Sequence, residues 1–340
     1  MVYGGRTKTM NLEIKDLTVR LYPKKYAGGY INVIDSVDLY VNGGEIAAVV
    51  GESGSGKSFL GLSIMRLNPP DVSEVVSGFV KIRCPAEKEA LDIIRLNPKN
   101  LPSVRGRLVS IVFQDPNTSL NPVIKIGEQI TEAIFAHKKI GKPEAKEIAI
   151  SYLNRMNIDG KARFNAYPHE LSGGMRQRVM IAMAMVLNPC FLIADEPTTA
   201  LDVTTSLQVL SLIEKIKLES NLGIIFITHD LSIAKNISDK IYVFYAGQVM
   251  ESGKTEEIMD NPLHPYTVSL INSVPSLAAD YMPKQKLFTI PGYLTRDDFA
   301  EGKCRFYARC FKRDENCLKN IPLNGINGER FVRCVKWKKK

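Results

Sequence analysis

No apolar run in this 340-residue chain reaches the roughly 18 residues that a membrane-spanning helix needs, the longest being broken by residues such as Asn188, Pro189 and Asp195. Any role at a membrane must therefore be borrowed from partners. No apolar segment follows Arg6 and Lys8 near the N-terminus, so a secretory signal is not expected, and the cytosol is the expected compartment. Excess positive charge is missing from most of the chain. Between Lys303 and Lys340 twelve Lys or Arg face three acids, a surplus equal to the whole net charge of +9, so the first 302 residues sum to zero. A polymer-binding enzyme more often carries its charge around its site, which argues against nucleic acid and leaves the basic tail needing a local explanation. The plainest one is a solvated surface ending in Lys338, Lys339 and Lys340. Length and 45 % hydrophobic content fit one large domain plus a smaller one.

What is present centres on Gly51-Glu-Ser-Gly-Ser-Gly-Lys57-Ser58, which matches the phosphate-binding pattern G-x-x-x-x-G-K-[ST] at every fixed position. Gly51, Gly54 and Gly56 permit a tight turn that points successive N–H groups at phosphate oxygens. The apolar run Glu45 to Val50 predicts a buried strand before the loop, and Phe59 to Leu67 a helix after it, with its N-terminal amides facing the phosphates. Lys57 is then placed to reach the β and γ phosphates and Ser58 to ligate Mg²⁺.

Upstream, Met10 to Val41 reads as antiparallel strands with a turn around Gly28-Gly29, where Tyr22, Tyr26 and Tyr30 offer a base-stacking ring or mere packing; Tyr22 is preferred. Downstream, strand-like pieces appear near Phe79 to Ile82, and Leu108 to Phe113 predicts a strand ending on Gln114, whose neutral amide can hold a metal-bound or attacking water. Apolar spacing from Ala145 to Met156, behind Pro143, predicts an amphipathic helix within a helical insertion over about 118–180. Ser172-Gly173-Gly174 opens a further helix over Arg176 to Leu187, either a simple cap or a second anion site. Phe191 to Ala194 is a buried strand ending in Asp195-Glu196, with Asp195 for Mg²⁺ and Glu196 for polarising the attacking water. Gly223 to Thr228 is another, ending at His229, a candidate sensor of the γ-phosphate.

In this order the motifs resemble the nucleotide-binding domain of ABC transporters over roughly residues 10 to 255. The fold class expected is α/β: a P-loop NTPase core of ABC type, with an antiparallel β subdomain, a helical subdomain and a cysteine-containing C-terminal extension. The expected division is 1–258 for the nucleotide-binding domain and 259–340 for the extension. The resemblance implies Walker A contacts to ATP from Gly51, Ser53, Gly54, Ser55, Gly56, Lys57, Ser58 and Phe59; Mg²⁺ ligation by Ser58, Gln114 and Asp195; and catalytic roles for Gln114, Glu196 and His229. It also implies a head-to-tail dimer in which the signature Ser172, Gly173 and Gly174, with Asp202 of the Ala200-Leu201-Asp202 D-loop, act on ATP bound to the other subunit. Tyr167 to Arg178, with Met175, then His264-Pro265-Tyr266-Thr267 and the cysteine-bearing tail are similar to the oligopeptide/dipeptide permease group. That group's members also serve oligosaccharide and nickel importers. The implied partners are a second ABC ATPase subunit, two transmembrane permease subunits docking on the helical insertion and, indirectly, an extracytoplasmic solute-binding protein, at the cytoplasmic face of the membrane. Soluble ABC ATPases of DNA repair or translation usually carry two such units or a long coiled-coil insertion, and this chain has neither.

Cys84 and Cys190 read as isolated, Cys190 as core. Cys304, Cys310, Cys317 and Cys334 follow C-x5-C-x6-C-x16-C, and in a cytosolic chain such a group points to metal more than to disulfides. The spacing matches neither paired C-x2-C zinc sites nor common ferredoxins, so iron-sulfur, zinc and no metal stay open. The resemblance implies a [4Fe-4S] cluster in some members. Arg305, Arg309, Lys312, Arg313 and Arg333 are expected to favour thiolates there.

Overall fold

The computed structural model describes residues 10–22, 29–85, 87–199, 201–274 and 289–337, so Tyr26, Gly28, Ala200 and Lys338 to Lys340 lie outside the described residues. Two sheets form the frame. An antiparallel sheet has the order β2-β1-β4-β5, with β1 Asn11–Leu21, β2 Ile31–Asn42, β4 Ser73–Arg83 and β5 Leu91–Asp92. A larger sheet runs β11-β12-β10-β9-β3-β8-β7-β6. Its strands are β3 Ile46–Val50, β6 Val109–Val112, β7 Phe191–Asp195, β8 Gly223–Thr228, β9 Lys240–Tyr245, β10 Gln248–Lys254, β11 Asn324–Asn327 and β12 Arg330–Val332.

The five strands β9, β3, β8, β7 and β6 are parallel and covered on both faces, which is why β3 and β8 are almost wholly apolar instead of alternating. Alternation does appear in β1 and β2. Leu12, Ile14, Leu17 and Val19 meet Ile34, Val37, Leu39 and Val41, and this face closes over Ala47, Val49, Ile193 and Ile227 of the larger sheet. The opposite face packs against helices Ile126–Phe135, Lys142–Arg155, Gly173–Met185 and Val203–Ser220, the first two of which belong to the predicted helical insertion.

Element types follow the sequence reading, but boundaries move. The helix after the phosphate loop occupies Lys57–Ile64 and stops short of Leu67, because Arg66 takes a left-handed φ of 50°. Strand β4 is far longer than Phe79 to Ile82, held along β1 by a backbone ladder. Cys84 and Cys190 are not isolated: the packing of the two sheets brings the end of β4 to the start of β7, and the two form a disulfide with Cα atoms 6.2 Å apart.

The extension is continuous with the core. Strand β12 pairs with β10, so the last strands extend the main sheet. Three of its arginines turn inward. Arg305 is 1 % exposed, donates to Asp35 at 2.6 Å and to the Asn32 and Ala246 carbonyls, and burial lowers its pKa to about 10. Arg330 pairs with fully buried Glu251 at 3.1 Å, and Arg333 donates to the carbonyls of Val249, Ile321 and Ser36. These residues use their charge as buried staples. No helix among the described residues is long and apolar enough to cross a membrane.

His264 locks this junction. Its backbone N–H donates to Glu251, and its Nδ1 accepts from Tyr266 N at 3.0 Å, capping helix Pro265–Ser273. Burial, reinforced by nearby Arg333, drops its pKa to about 3. The unfolded chain therefore binds the extra proton below about 6.5, so stability is full above that pH and is lost as pH falls toward 3. His264→Asn is expected to flatten this acid limb. Urea unfolding of both proteins at pH 7 and 4.5 should show the wild type losing more stability than the variant over that interval.

Candidate nucleotide site

The site forms at the carboxyl edge of the parallel strands, where β3 delivers the phosphate loop, β6 Gln114, β7 Asp195 and Glu196, and β8 His229. A cleft of about 330 Å³ is lined by Val33, Ser53, Gly54, Gly56, Lys57, Ser58, Phe59, Gln114 and Glu196. Gly56 is required by its surroundings. Its φ is 103°, and a Cβ there would lie 2.7 Å from the Val33 carbonyl oxygen. Gly51 and Ser55 support the loop without lining the cleft; Ser55 is wholly buried, its hydroxyl without a hydrogen-bond partner among the described residues.

Lys57 is 4 % exposed and folds back on the loop, Nζ donating to the carbonyls of Gly51 at 2.8 Å and Glu52 at 2.9 Å. Burial lowers its pKa, against the opposing pull of Glu196, Asp195 and Glu52. Ser58 Oγ donates to Asp195 Oδ1 at 3.0 Å. Burial also raises the Asp195 pKa, so its carboxylate is short of compensating positive charge. A hydroxyl and an under-compensated carboxylate side by side fit a hard divalent cation.

Glu196 is gripped from three sides. Oε2 accepts from Gln114 Nε2 at 3.0 Å and from Thr199 Oγ1 at 2.9 Å, while Oε1 lies 3.1 Å from His229 Nδ1. The residue has a left-handed φ of 45°, held by its N–H donating to the Ile227 carbonyl at 2.9 Å. Such a conformation in a bulky residue persists only where neighbours over-determine it. Thr199 was missed from sequence, although its place three residues after Glu196 across a Pro197 turn was the available signal.

Ser172, Gly173 and Gly174 lie away from this cleft and pack against the D-loop region. Ser172 Oγ caps helix Gly173–Met185 by accepting from Met175 N at 3.3 Å. A Cβ on Gly174 would lie 2.2 Å from Thr205 Cγ2. Asp202 caps the next helix, accepting from Thr205 N at 2.9 Å and Thr205 Oγ1 at 2.6 Å, bonds that lower its pKa. Tyr22 does not reach the cleft: its hydroxyl donates to Glu74 at 2.9 Å and its ring faces Tyr30 at 6.3 Å.

Cys304, Cys310 and Cys317 pack with Tyr245, Tyr266 and Phe306, and Cys334 lies within electrostatic reach of Cys304; Cys304, Cys317 and Cys334 are buried. Cys304 N donates to the Cys317 carbonyl at 2.9 Å, and Cys310 and Cys334 sulfurs accept from Lys312 N at 3.4 Å and Lys336 N at 3.3 Å. Burial pushes the Cys304, Cys310 and Cys334 thiols up, Cys304 to about 12. Arg305 and Arg309 turn to Asp35 and Glu52 instead of the sulfurs; Arg333 remains in electrostatic reach of Cys304, and Arg313 of Cys310. Among the described residues no three His, Cys, Asp or Glu side chains stand together at metal-holding separations.

A strand-loop-helix phosphate cradle, a cation-ready Ser–Asp pair and a held carboxylate define a P-loop ATPase with a separate Ser-Gly-Gly helix terminus. The chain matches the ABC transporter family over residues 34–199 and the oligopeptide/dipeptide transporter C-terminal region over 250–317, and it belongs to the ABC transporter ATPases. It is 44 % identical over 312 residues to a putative peptide import ATP-binding protein of Brucella abortus, covering 90 % of this chain and 92 % of the relative. It is 41 % identical to the oligopeptide transport ATP-binding protein AppD of Bacillus subtilis, covering 95 % of each. Among solved structures it resembles a dimeric bacterial ABC transporter cassette, MJ0796, at 27 % identity and a TM-score of 0.61, covering 72 % of this chain and 98 % of that one. The same cassette in a post-hydrolysis state bound to ADP and Pi gives a TM-score of 0.60 at 27 % identity, with the same coverage of 72 % and 98 %.

Thr199→Val is expected to leave nucleotide binding intact and slow turnover about tenfold, the value of one hydrogen bond of about 1.4 kcal/mol to a charged group. Parallel ATP titration and steady-state ATPase assays check this.

Proposed function

We propose that this chain is the ATP-hydrolysing subunit of an importer of oligopeptides or dipeptides. The observation that carries the reading is the grip of Gln114, Thr199 and His229 on Glu196 beside the Ser58–Asp195 pair, in a chain whose relatives are named as peptide-import ATP-binding proteins. Relatives so named favour peptides over oligosaccharides or nickel as cargo.

In the proposed mechanism the phosphate-loop amides and Lys57 hold the β and γ phosphates, Lys57 exchanging its two carbonyl partners for phosphate oxygens. Ser58, Asp195 and Gln114 would hold Mg²⁺, which neutralises phosphate charge. Glu196 takes the proton of the attacking water, a contribution of about 10²- to 10⁴-fold, with Gln114 and His229 fixing its direction. Ser172, Gly173, Gly174 and Asp202 face the nucleotide of a second ABC subunit, which accords with their distance from the cleft of their own chain. ATP closes that dimer because it binds the closed form better, and two permease subunits docked on the helical insertion follow; hydrolysis resets them. The working position is peripheral, at the cytoplasmic face of the membrane, with a solute-binding protein on the other side and no nucleic acid. The proposed division into 1–258 and 259–340 marks function, since the sheet runs through both.

Thiol donor chemistry and backbone N–H groups on the sulfurs suit a [4Fe-4S] cluster on Cys304, Cys310, Cys317 and Cys334, although those side chains would have to close further around it. Its proposed role is structural. Anaerobically purified protein is expected to hold about four iron and four sulfide per chain; zinc alone, or active protein with no metal, overturns the cluster and leaves the ATPase reading standing.

Glu196→Gln is expected to bind ATP, lose at least about 10²-fold in hydrolysis and accumulate as an ATP-held dimer in light scattering. Normal turnover in this variant would remove Glu196 from the role of base. Co-purified permease and solute-binding subunits, followed by peptide uptake in vesicles, test the cargo.

A further inference from the structure

The phosphate loop contains a charge of the wrong sign. Glu52, the residue after Gly51, sits in a loop built to hold a polyphosphate, and its carboxylate is close enough to stabilise the charged form of Lys57. Its backbone is fully engaged: its carbonyl accepts from Lys57 at 2.9 Å, and its N–H donates to the Tyr266 hydroxyl at 3.0 Å. Its side chain meets a residue from the far end of the chain. Arg309 Nη1 donates to Glu52 Oε2 at 2.8 Å and Nη2 to Oε1 at 3.0 Å, a fork-to-fork pair. The Arg309 side chain is 7 % exposed and that of Glu52 24 %.

The guanidinium is fixed by every other donor it has. Nε reaches the Pro291 carbonyl at 2.7 Å, Nη2 the Gly292 carbonyl at 3.2 Å and Nη1 the Tyr245 hydroxyl at 3.3 Å. The same segment of the extension lies against the loop, with Leu294 Cδ2 3.7 Å from where a Cβ on Gly54 would stand. Arginine suits this task because its charge is permanent and its planar fork matches both carboxylate oxygens.

We propose that Arg309 is a positioning residue for nucleotide binding: it cancels the Glu52 charge and holds the phosphate loop, so that the extension completes the ATP site. This rests on the ATPase reading above. Two roles are separable. If Arg309 were only a staple, removing either partner would do equal harm. If it masks charge, Arg309→Gln does more harm than Glu52→Gln, because only the former leaves a bare carboxylate in the phosphate loop, within electrostatic reach of Lys57.

The test uses the full-length purified chain, with MgATP and adenosine binding measured for wild type, Arg309→Gln, Arg309→Lys, Glu52→Gln and the Glu52→Gln/Arg309→Gln double variant. Arg309→Gln is expected to weaken MgATP binding at least tenfold and raise KM with a smaller change in kcat, with the loss largest at low ionic strength. Glu52→Gln is expected to lose at least threefold less, the double variant to bind more tightly than Arg309→Gln, and Arg309→Lys to recover part of the affinity. Adenosine, which has no phosphates, is expected to bind all five proteins alike. Equal losses in the two single variants with no recovery in the double overturn the proposal. Should Arg309→Gln fail to fold, Glu52→Gln still decides, since a tenfold or greater loss of MgATP affinity there contradicts charge masking. Absence of MgATP binding in the wild type would instead overturn the ATPase reading.

Discussion

The structure depends on one constraint: the central strand β3 is buried on every side, and its carboxyl end must pass directly into a loop whose backbone remains free to bind. All five residues from Ile46 to Val50 are buried, with β8 on one flank and β9 on the other. That packing leaves the loop no freedom at its entrance. The chain emerges at a fixed point, beside the ends of β6, β7 and β8, and the groups those strands carry meet it there. Gln114, the Asp195-Glu196 pair and His229 come from three different strands yet converge because parallel strands end along one edge.

Burial sets the chemistry at that edge. Lys57 and Asp195 both lose solvation, which lowers the pKa of one and raises that of the other, so each is poised for a partner of opposite charge. The same economy recurs in the extension. Arg305, Arg330 and Arg333 are among the most buried side chains, and each is matched by an acid or by carbonyl oxygens. Part of a charge surplus that looks like a solvated tail in composition is thus internal wiring, while Lys312, Arg313, Lys319 and Lys336 stay on the surface.

The phosphate loop, the signature, the Asp195-Glu196 pair and His229 were legible because each is a short string whose neighbours in sequence are its neighbours in space. The contacts that hold the extension were not. Arg305 and Asp35 lie 270 positions apart, Arg309 and Glu52 257, and neither end carries a local pattern that names the other. The disulfide between Cys84 and Cys190 spans 106 positions and was obscure for the same reason. Strands β11 and β12 escaped notice because Asn324 to Val332 lacks the apolar density of a core strand; they exist because β10 offers them an edge.

That edge has a consequence for the solution behaviour of the chain. A sheet whose outer strand presents free N–H and C=O groups is a template on which other chains can polymerise. Strand β10 would be such a template, and β12 followed by the short, polar β11 terminates it. The tail therefore works as an edge cap for its own sheet, occupying the flank of β10 on which a stray strand could otherwise add.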